Sequence, residues 1–437
     1  MSQLKSLAAS LFSAGILVAA LPAAHADEIA DLKTAVQQLQ AEVQQLKAEQ
    51  THTAQQAAAT QTAVAEVKAQ ATAPAAARAS SDPLTFGTKD NWAQLYGDID
   101  QYANYMHSSS GANLTSFNDG ALLRSRLGLK GHHAVSAGYA VNFDMEQSLD
   151  FETGAQPGAG RLFDRQAWAG VSTPVGEFRV GRQETIAFFH GGMVDFTSRT
   201  LGSVVNAFGV PARFDRDLSY SSPRLGGLKF EAHYALSSAG GSTVGSNGAV
   251  YQLGLDYVHG PIDVGYNGLW ANPPSGATYN TKADYHNLYA DYDYGHGKVY
   301  LTYVRTNVGP TSGFSGIGGA YPGGVPLTGT SAGINTNYDI YQVSADYDLT
   351  TTWRVGALYG QIKDTSDSSG GAKGWAAGTY YSGIKDTTLY ALVDGLSNDS
   401  AAGFKESGSA PLSQYFSGSD LTGKKATGVQ VGFVYKF

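Results

Sequence analysis

Acidic and basic side chains recur at alternate positions in several segments of this sequence, the spacing that places them on one face of a β-strand. Asp98 and Asp100 are related in this way, and so are Asp144 and Glu146. Other charged residues lie in neighbouring segments: Arg124, Arg126, Arg165, Arg182, Arg213, Glu184, Asp195 and Arg199. Carboxylate and guanidinium groups that face water hold ions and orient polar solutes, so this pattern indicates solute binding rather than bond-breaking chemistry.

A catalytic or metal site is the alternative from another class. The only obvious candidate catalytic residues are four histidines: His132, His133, His233 and His286. None of them has a partner pattern typical of catalysis. No histidine pair or carboxylate cluster has metal-ligand spacing, and the chain contains no cysteine. We therefore expect no enzyme activity, no metal and no other cofactor. The formal net charge of -8 argues against a nucleic-acid partner.

The last nine residues indicate which elements position the charged side chains. Apolar or aromatic residues occupy every second position up to the C-terminus and share one strand face: Val429, Val431, Phe433, Tyr435 and Phe437. The core face of a soluble sheet is one explanation of this pattern. The lipid-facing stripe of a closed transmembrane barrel is the other, and the rest of the chain favours it.

The N-terminus has the features of a secretory signal peptide. Lys5 precedes an apolar run from Leu7 to about Leu21, and Ala24-His25-Ala26 offers small residues before a cleavage site. We therefore predict a signal peptide at residues 1–26. No later segment has the roughly 18 consecutive apolar residues of a membrane-spanning helix.

Residues 27–70 are predicted to form a coiled-coil helix. Apolar residues follow one another at steps of three and four, with β-branched residues at a and leucine at d: Ile29, Leu32, Val36, Leu39, Val43 and Leu46. A lone amphipathic helix lying on a domain is the alternative. The residue types favour a dimer, whereas the symmetry of an attached barrel would set a different number. Residues 71–91, rich in alanine, serine and proline, are predicted to be a linker.

From residue 92 onward a period of two replaces the helical pattern, and residues 92–437 are predicted to form one barrel domain. Apolar Leu228 and Phe230, for example, alternate with Lys229 and Glu231. An even number of strands is what a bacterial barrel requires, and sixteen can be placed. They are 92–106, 121–131, 137–147, 161–172, 176–183, 212–222, 226–236, 249–258, 260–270, 283–295, 297–306, 336–348, 352–363, 373–383, 386–396 and 427–437.

The connections between these strands alternate in length. Short turns such as Gly295-His296-Gly297 alternate with longer loops near 107–120, 148–160, 183–211, 237–248, 271–282, 307–335, 364–372 and 397–426. This is typical of an up-and-down barrel with short turns in the periplasm and long loops outside. The predicted fold class is therefore all-β, a 16-stranded antiparallel transmembrane β-barrel with an N-terminal periplasmic coiled-coil helix.

Four segments, taken in order, resemble strands of the trimeric general-diffusion porins of Gram-negative outer membranes: 126–131, 163–171, 176–183 and 213–223. With Tyr96-Gly97 and the terminal Phe437, the resemblance covers residues 92–437. It implies a homotrimer in the outer membrane, with one water-filled pore in each subunit. Small hydrophilic solutes and ions would diffuse passively through these pores.

The resemblance also implies that the third loop, here residues 183–211, folds into the channel and constricts it. In such porins, arginines on the wall face carboxylates on this loop, and the field between them orients solutes. The matched motifs place Arg126, Arg165 and Arg213 on the wall, and their positions add Arg124 and Arg182. The loop would contribute Glu184, Asp195 and Arg199. Solvation of a wet lumen is the simpler role for any single one of these residues.

Asp98 departs from the pattern of porins that carry a lysine directly after Tyr-Gly in the first strand. Asp100, Asp144 and Glu146 also face inward, so the predicted lumen is not uniformly basic and its charge preference stays open. A substrate-selective anion or dicarboxylate channel is one alternative to general diffusion. A tether between the outer membrane and the cell wall, built on the coiled coil, is another.

The expected partners follow from the predicted location. Outer-membrane lipid and lipopolysaccharide would surround the barrel, small hydrophilic solutes would occupy the pore, and peptidoglycan would be within reach of the periplasmic helix. By resemblance, the C-terminal residues Phe433, Tyr435 and Phe437 form the signal that the barrel-insertion machinery reads.

Overall fold

The computed structural model describes Gln44, which is helical, and residues 84–155, 161–210, 212–236, 249–272, 282–307, 337–365, 369–409 and 415–437. Residues 1–77 and 78–437 form separate compact units. The predicted signal peptide and the coiled-coil seam from Ile29 to Leu46 lie outside the described residues. Among the residues that are described, no helix has the length and apolar character needed to cross a membrane.

The larger unit contains one antiparallel sheet of eighteen strands. They are β1 (Thr85–Gly87), β2 (Asn91–Ser108), β3 (Asn113–Asp119), β4 (Arg126–Ser136), β5 (Tyr139–Ser148), β6 (Gln166–Thr173), β7 (Gly176–Glu184), β8 (Arg213–Ser221), β9 (Leu228–Ala235), β10 (Val250–His259), β11 (Ile262–Ala271), β12 (Ala283–Asp293), β13 (Lys298–Thr306), β14 (Tyr338–Asp348), β15 (Trp353–Asp364), β16 (Ala372–Ile384), β17 (Thr387–Asn398) and β18 (Lys425–Lys436). Between β7 and β8 lie two short helices, α1 (Ile186–Phe189) and α2 (Val204–Phe208), and the 3₁₀ turn His190–Met193. A second 3₁₀ turn, Gly418–Asp420, precedes β18.

The wall of the closed barrel has sixteen strands, because two positions in it are each occupied by two of the eighteen: one by β3 and β4, the other by β18 and β1. β3 and β4 pair with successive parts of β2 and together form one wall strand, interrupted at residues 120–125. β1 and β18 pair with the same edge of β2. β1 pairs with the start of β2, and β18 pairs with the rest of it. Each wall strand is therefore paired on both edges, as a surrounding without hydrogen-bonding groups requires.

The last strand closes the barrel by antiparallel pairing of β18 with β2. Phe437 continues this pairing beyond β18, because its N–H donates to the Gly97 carbonyl at 3.1 Å and its carbonyl accepts from the Gly97 N–H at 3.0 Å. The phenyl ring covers Gly97, where a Cβ atom would stand 2.4 Å from the ring. The predicted pairing between the two ends of the barrel is confirmed.

The predicted barrel is confirmed with one correction near its start. Residues 107–120, predicted as a long loop, contain the strand β3, and the turn before it is only residues 109–112. The serine-rich turn and the polar residues of β3 produced this error, because they are typical loop residues. The strand predicted at 121–131 accordingly begins at Arg126. At the other side of β2, residues 85–87, within the predicted linker, form β1.

Alternation along each strand separates a lipid-facing surface from the lumen. In β10, Tyr251 and Leu255 are more than a third exposed on the outer face, while Gln252 and Asp256 are buried on the inner face. The period of two of a strand makes this separation automatic once one face is apolar. Polar residues on the inner face therefore lie where an inward-folding loop can reach them.

We expect Phe437→Ser to impair assembly of the barrel far more than conduction. The change removes the ring that covers Gly97 at the closing seam and alters the C-terminal residue, but it leaves the lumen untouched. The yield of folded, heat-modifiable protein in outer membranes measures assembly, and single-channel recording measures conductance of the assembled fraction. Phe86→Ser is the control, because Phe86 is another exposed phenylalanine and lies in β1, away from the C-terminus. Equal yields for both variants would contradict the role given to Phe437.

Candidate functional site

The connection between β7 and β8, residues 185–212, folds inward instead of covering the barrel, and is here named the constriction loop. Its apolar residues Val194, Phe196 and Val205 have no exposed surface. Two hydroxyls begin its helices: Thr185 Oγ1 accepts from the Phe188 N–H before α1, and Ser203 Oγ accepts from the Asn206 N–H before α2. The inward fold predicted for residues 183–211 is what the structure has.

Asp195 attaches the middle of the constriction loop to the barrel wall. Its Oδ2 atom accepts from Gln342 Nε2 on β14 at 2.6 Å and from Ser203 Oγ at 2.7 Å. Beside it, Phe196 packs over Gly356 on β15, where a Cβ atom would stand 2.3 Å from the ring. These contacts bury the Asp195 carboxylate, which is 1% exposed and carries no ion pair with a described arginine.

The first part of the constriction loop is attached to a different stretch of wall. The Ile186 N–H donates to Gln252 Oε1 on β10 at 3.0 Å. His190 Nε2 lies 2.6 Å from Glu231 Oε2 on β9, and its Nδ1 lies 3.2 Å from the Tyr289 hydroxyl on β12. Because α1 is held at both ends, its orientation in the lumen is fixed.

The carboxylate of Asp100 holds residues 120–125, the interruption between β3 and β4, which is here named the break. Asp100 Oδ2 accepts from the backbone N–H groups of Leu122 and Leu123 at 2.7 and 2.8 Å, and its Oδ1 accepts from the Tyr390 hydroxyl at 2.6 Å. The backbone of the break meets the constriction loop, since the Leu201 N–H donates to the Ala121 carbonyl at 3.3 Å. The break thus brings two leucines from the wall into the lumen.

A segment of the last long loop, residues 399–409, packs on α2 from another side. Asn206 Nδ2 donates to the carbonyls of Ser407 and Gly408 at 2.5 and 3.0 Å, and the rings of Phe208 and Phe404 lie 6.0 Å apart. Glu406 in this segment is buried, and burial raises the pKa of its carboxyl above the usual value. The constriction loop is therefore held by the wall, by the break and by a second loop.

Arginines and carboxylates alternate on the wall between β4 and β6. Arg126 Nε lies 2.7 Å from Asp98 Oδ2, and its second nitrogen lies 3.4 Å from Glu146 Oε2. Arg165 forms an ion pair with the same Glu146. A shared carboxylate fixes the two guanidinium groups with respect to each other.

A second pair of arginines flanks the base of the constriction loop. Arg213 at the start of β8 forms an ion pair with Glu184 at the end of β7, and Arg182 lies 2.7 Å from Asp215 Oδ1. The pairing of β7 with β8 shifts register here, with positive φ at Gly181. Such a bulge re-aims neighbouring side chains, and it places Arg182 towards the lumen.

These side chains meet at a cavity of about 220 Å³ beside the constriction loop. Among described residues, six arginines, two carboxylates and four large apolar side chains line it: Arg124, Arg126, Arg165, Arg182, Arg199, Arg213, Asp164, Glu184, Leu122, Leu123, Phe188 and Phe189. The Nε atoms of Arg124, Arg199 and Arg213 are buried without a hydrogen-bond partner in the described part of the chain. Burial also lowers the pKa of the Arg199 guanidinium.

The structure brings together seven of the eight residues predicted at the constriction and leaves out Asp195, which the wall binds instead. The four acids predicted to face the lumen have partners. Asp98 and Glu146 pair with Arg126, Asp100 holds the break, and Asp144 Oδ1 accepts from the Tyr96 hydroxyl at 2.8 Å.

Three of the histidines considered as candidate catalytic residues, His132, His233 and His286, contact a polar side chain. His233 Nδ1 lies 2.7 Å from Asp217 Oδ2, and His286 Nδ1 lies 2.8 Å from the Tyr266 hydroxyl. Within the described ranges, no group of three or more histidine or carboxylate side chains is arranged to hold a metal ion. The charged residues that line the cavity can act on a passing solute electrostatically.

Comparison with known proteins identifies the family to which this passage belongs. A family model for Gram-negative porins matches residues 57–401, well over half of the chain. The chain belongs to the Gram-negative porin family. This porin is 29% identical over 297 residues to an outer membrane porin protein of Bordetella pertussis, a match that covers 62% of this chain and 75% of that protein.

Solved structures show the same fold as this porin. An anion-selective porin from Comamonas acidovorans has a TM-score of 0.63 and 22% identity, covering 79% of this chain and 99% of that one. OmpF of Salmonella typhi, solved with daunomycin, has a TM-score of 0.57 and 17% identity, covering 81% and 100%. Family and fold together make the protein an outer-membrane channel for passive diffusion of small hydrophilic solutes and ions.

Sequence reasoning missed the apolar part of the porin's cavity. Leu122 and Leu123 were assigned to a regular strand, and Phe188 and Phe189 were not singled out. Adjacent residues of a strand point to opposite faces, so one of two adjacent leucines must face the polar lumen. This pattern in the sequence predicts an apolar residue in the lumen. The two phenylalanines have no comparable signal, because the direction of a loop side chain depends on how the loop docks.

We expect Asp195→Ala to loosen the constriction loop of this porin without unfolding the barrel. The change leaves Gln342 Nε2 and Ser203 Oγ, both buried, without their acceptor. Open-channel current should then fluctuate between levels, and the loop should become sensitive to protease. Asp150→Ala is the control, because among the described residues the Asp150 carboxylate accepts hydrogen bonds from Glu152 and Thr153 of its own turn. A quiet, protease-resistant Asp195→Ala channel would show that this carboxylate does not hold the loop.

Proposed function

We propose that this porin is a diffusion channel that prefers anions, with the constriction loop and the arginine-lined wall as its selective element. One observation carries the proposal: six arginines and two carboxylates line the cavity at the loop. Guanidinium groups that face a narrow passage lower the free energy of an anion there and raise that of a cation. The anion-selective porin of Comamonas acidovorans has the same fold.

The positions of the acids support this proposal. Asp195 is the carboxylate that the loop would be expected to turn towards the arginines, and it is bound to Gln342 instead. Asp98 forms an ion pair with Arg126, and Asp100 accepts hydrogen bonds from backbone N–H groups. Arg124 and Arg199 keep their charge at the cavity with no ion-pair partner among the described carboxylates. The balance at the passage is therefore positive although the whole chain is negative.

Reversal potentials in a KCl gradient across a planar bilayer test the preference. We expect Arg126→Ser, Arg165→Ser and Arg213→Ser each to lower the ratio of chloride to potassium permeability by about two- to threefold, because each removes one positive charge near the passage. Arg124→Ser should do the same, and it separates charge from folding because it leaves no described carboxylate unpaired. Arg305→Ser is the control, since Arg305 is half exposed and pairs with Asp339 away from the cavity.

Unchanged reversal potentials in all four wall variants would contradict the anion preference. They would leave the passive channel itself intact, because conductance needs only the open lumen. A wild-type channel that prefers potassium would contradict the proposal directly.

We also propose that the porin works as a homotrimer embedded in outer-membrane lipid and lipopolysaccharide, and that its histidines take no catalytic part. OmpT of Vibrio cholerae, solved in a trimer form, has a TM-score of 0.52 and 16% identity to this chain. Insertion through the barrel-insertion machinery, with Phe433, Tyr435 and Phe437 as the recognised residues, belongs to the same proposal. Stepwise conductance increments in threes are the expected result.

A second candidate function is a tether to the cell wall, favoured by the heptad pattern from Ile29 to Leu46. The proposal is that residues 27–70 project into the periplasm, join the subunits and contact peptidoglycan. Deleting residues 29–67 should lower the temperature at which the trimer dissociates and should reduce co-sedimentation with peptidoglycan. Unchanged trimer stability together with unchanged co-sedimentation would contradict this role, and conductance of the deleted form is expected to stay the same.

A further inference from the structure

The constriction loop exposes a phenyl ring to the pore. Phe189 is 61% exposed, although most of the large apolar residues of its loop are buried. It lines both the arginine-lined cavity and the adjoining cavity of about 590 Å³. An exposed phenylalanine in a passage for hydrophilic solutes is unfavourable, because water must order around an apolar surface. Lys229 Nζ lies 5.6 Å from the centre of the ring, and most of the ring is left for a solute to cover.

The orientation of this ring is set by the attachment of α1. Ile186 and Ala187 are buried, and His190 is held by Glu231. Residues two positions apart in a helix point to nearly opposite sides, so Phe188 and Phe189 point away from the sides on which Ile186 and Ala187 are buried. The apolar surface is thus held rigidly and does not collapse onto the wall.

Phe188 joins this apolar surface to the positive one. The guanidinium carbon of Arg199 lies 4.6 Å from the centre of the Phe188 ring, and that of Arg213 lies 4.7 Å from it. Both arginines are about nine-tenths buried or more, and their Nε atoms have no hydrogen-bond partner among described residues. The guanidinium groups, which can donate hydrogen bonds to an anion, therefore lie next to the apolar surface of Phe188.

The break in the wall supplies a second apolar surface to the same cavity. Leu122 and Leu123 line it, and their backbone N–H groups are bound by Asp100. The cavity volume of about 220 Å³ exceeds the roughly 150 Å³ that holds benzene in an apolar cavity. A ring-sized body fits with room for a charged group.

From this arrangement we propose that the constriction is a binding site for monoanions that carry an apolar, ring-sized body, such as aromatic carboxylates. The carboxylate lies among Arg124, Arg199 and Arg213, and the ring lies on Phe189 and the two leucines. This inference rests on the proposed anion preference and deepens it, because it adds a preference for apolar solutes at equal charge. Binding at this site slows the passage of other ions while it lasts.

Block of single-channel KCl current by added carboxylates tests the inference. Benzoate and gluconate both carry one negative charge, but only benzoate has an apolar ring. We expect benzoate to block at a concentration about tenfold lower than gluconate in the full-length porin. Phe189→Ala and Leu122→Ser should each raise the benzoate concentration for half block about fivefold and leave that of gluconate unchanged.

Two controls separate the apolar contribution from charge and from general damage. Phe151→Ala removes a half-exposed phenylalanine that lines neither cavity. Benzoate should block this variant at the same concentration as the original porin. Arg124→Gln should weaken block by both carboxylates. Phe151→Ala should also keep the reversal potential of the original porin in KCl.

The outcomes distinguish this inference from the function on which it rests. An anion-preferring channel that benzoate and gluconate block equally would overturn the inference and leave the proposed function standing. A channel without anion preference in KCl would overturn the proposed function. Benzoate block that is unaffected by Phe189→Ala and Leu122→Ser would show that the apolar residues do not form the site.

Discussion

The absence of hydrogen-bonding groups in the lipid core is the constraint on which the rest of this structure depends. It requires every strand edge in the membrane to be paired, and the chain meets it by joining β18 to β2. Once the ring is closed, the period of two assigns each residue to lipid or lumen. The arginines of the wall owe their inward position to this closure, and so do Gln342 and Asp100, the anchors of the inner structure.

The inner structure follows a different rule, because it must satisfy buried polar groups without a regular ladder. Side chains provide the partners one by one: Gln342 binds Asp195, Gln252 binds the start of α1, and Asn206 binds the backbone of residues 399–409. The first two of these contacts use a glutamine that a wall strand directs into the lumen. This arrangement also affects the charge at the passage. The Asp195 carboxylate that accepts from Gln342 does not form an ion pair with a described arginine, so the arginines there keep more of their positive charge.

The barrel could be predicted from the sequence because alternation is a local property, visible within ten residues. The wall arginines were predicted from the resemblance of their strand motifs to those of porins. The loop contacts could not be predicted in this way, since Asp195 and its partner Gln342 are 147 residues apart and neither belongs to a pattern. The strand β3 lies in a segment predicted as a loop, because most of its residues are polar and it follows a serine-rich turn. Phe189 was missed because the direction of a loop side chain is decided by packing, which no spacing encodes.

The break at residues 120–125 has a consequence for how such a pore can change in evolution. The ladder with β2 ends at Asp119 and resumes at Arg126 in its proper place, so six residues face only two of the partner strand. A residue gained or lost within the break would alter the profile of the lumen but would not turn any strand over. Pore shape and membrane insertion can therefore vary independently at this position, and lineages of this chain are expected to differ in length there.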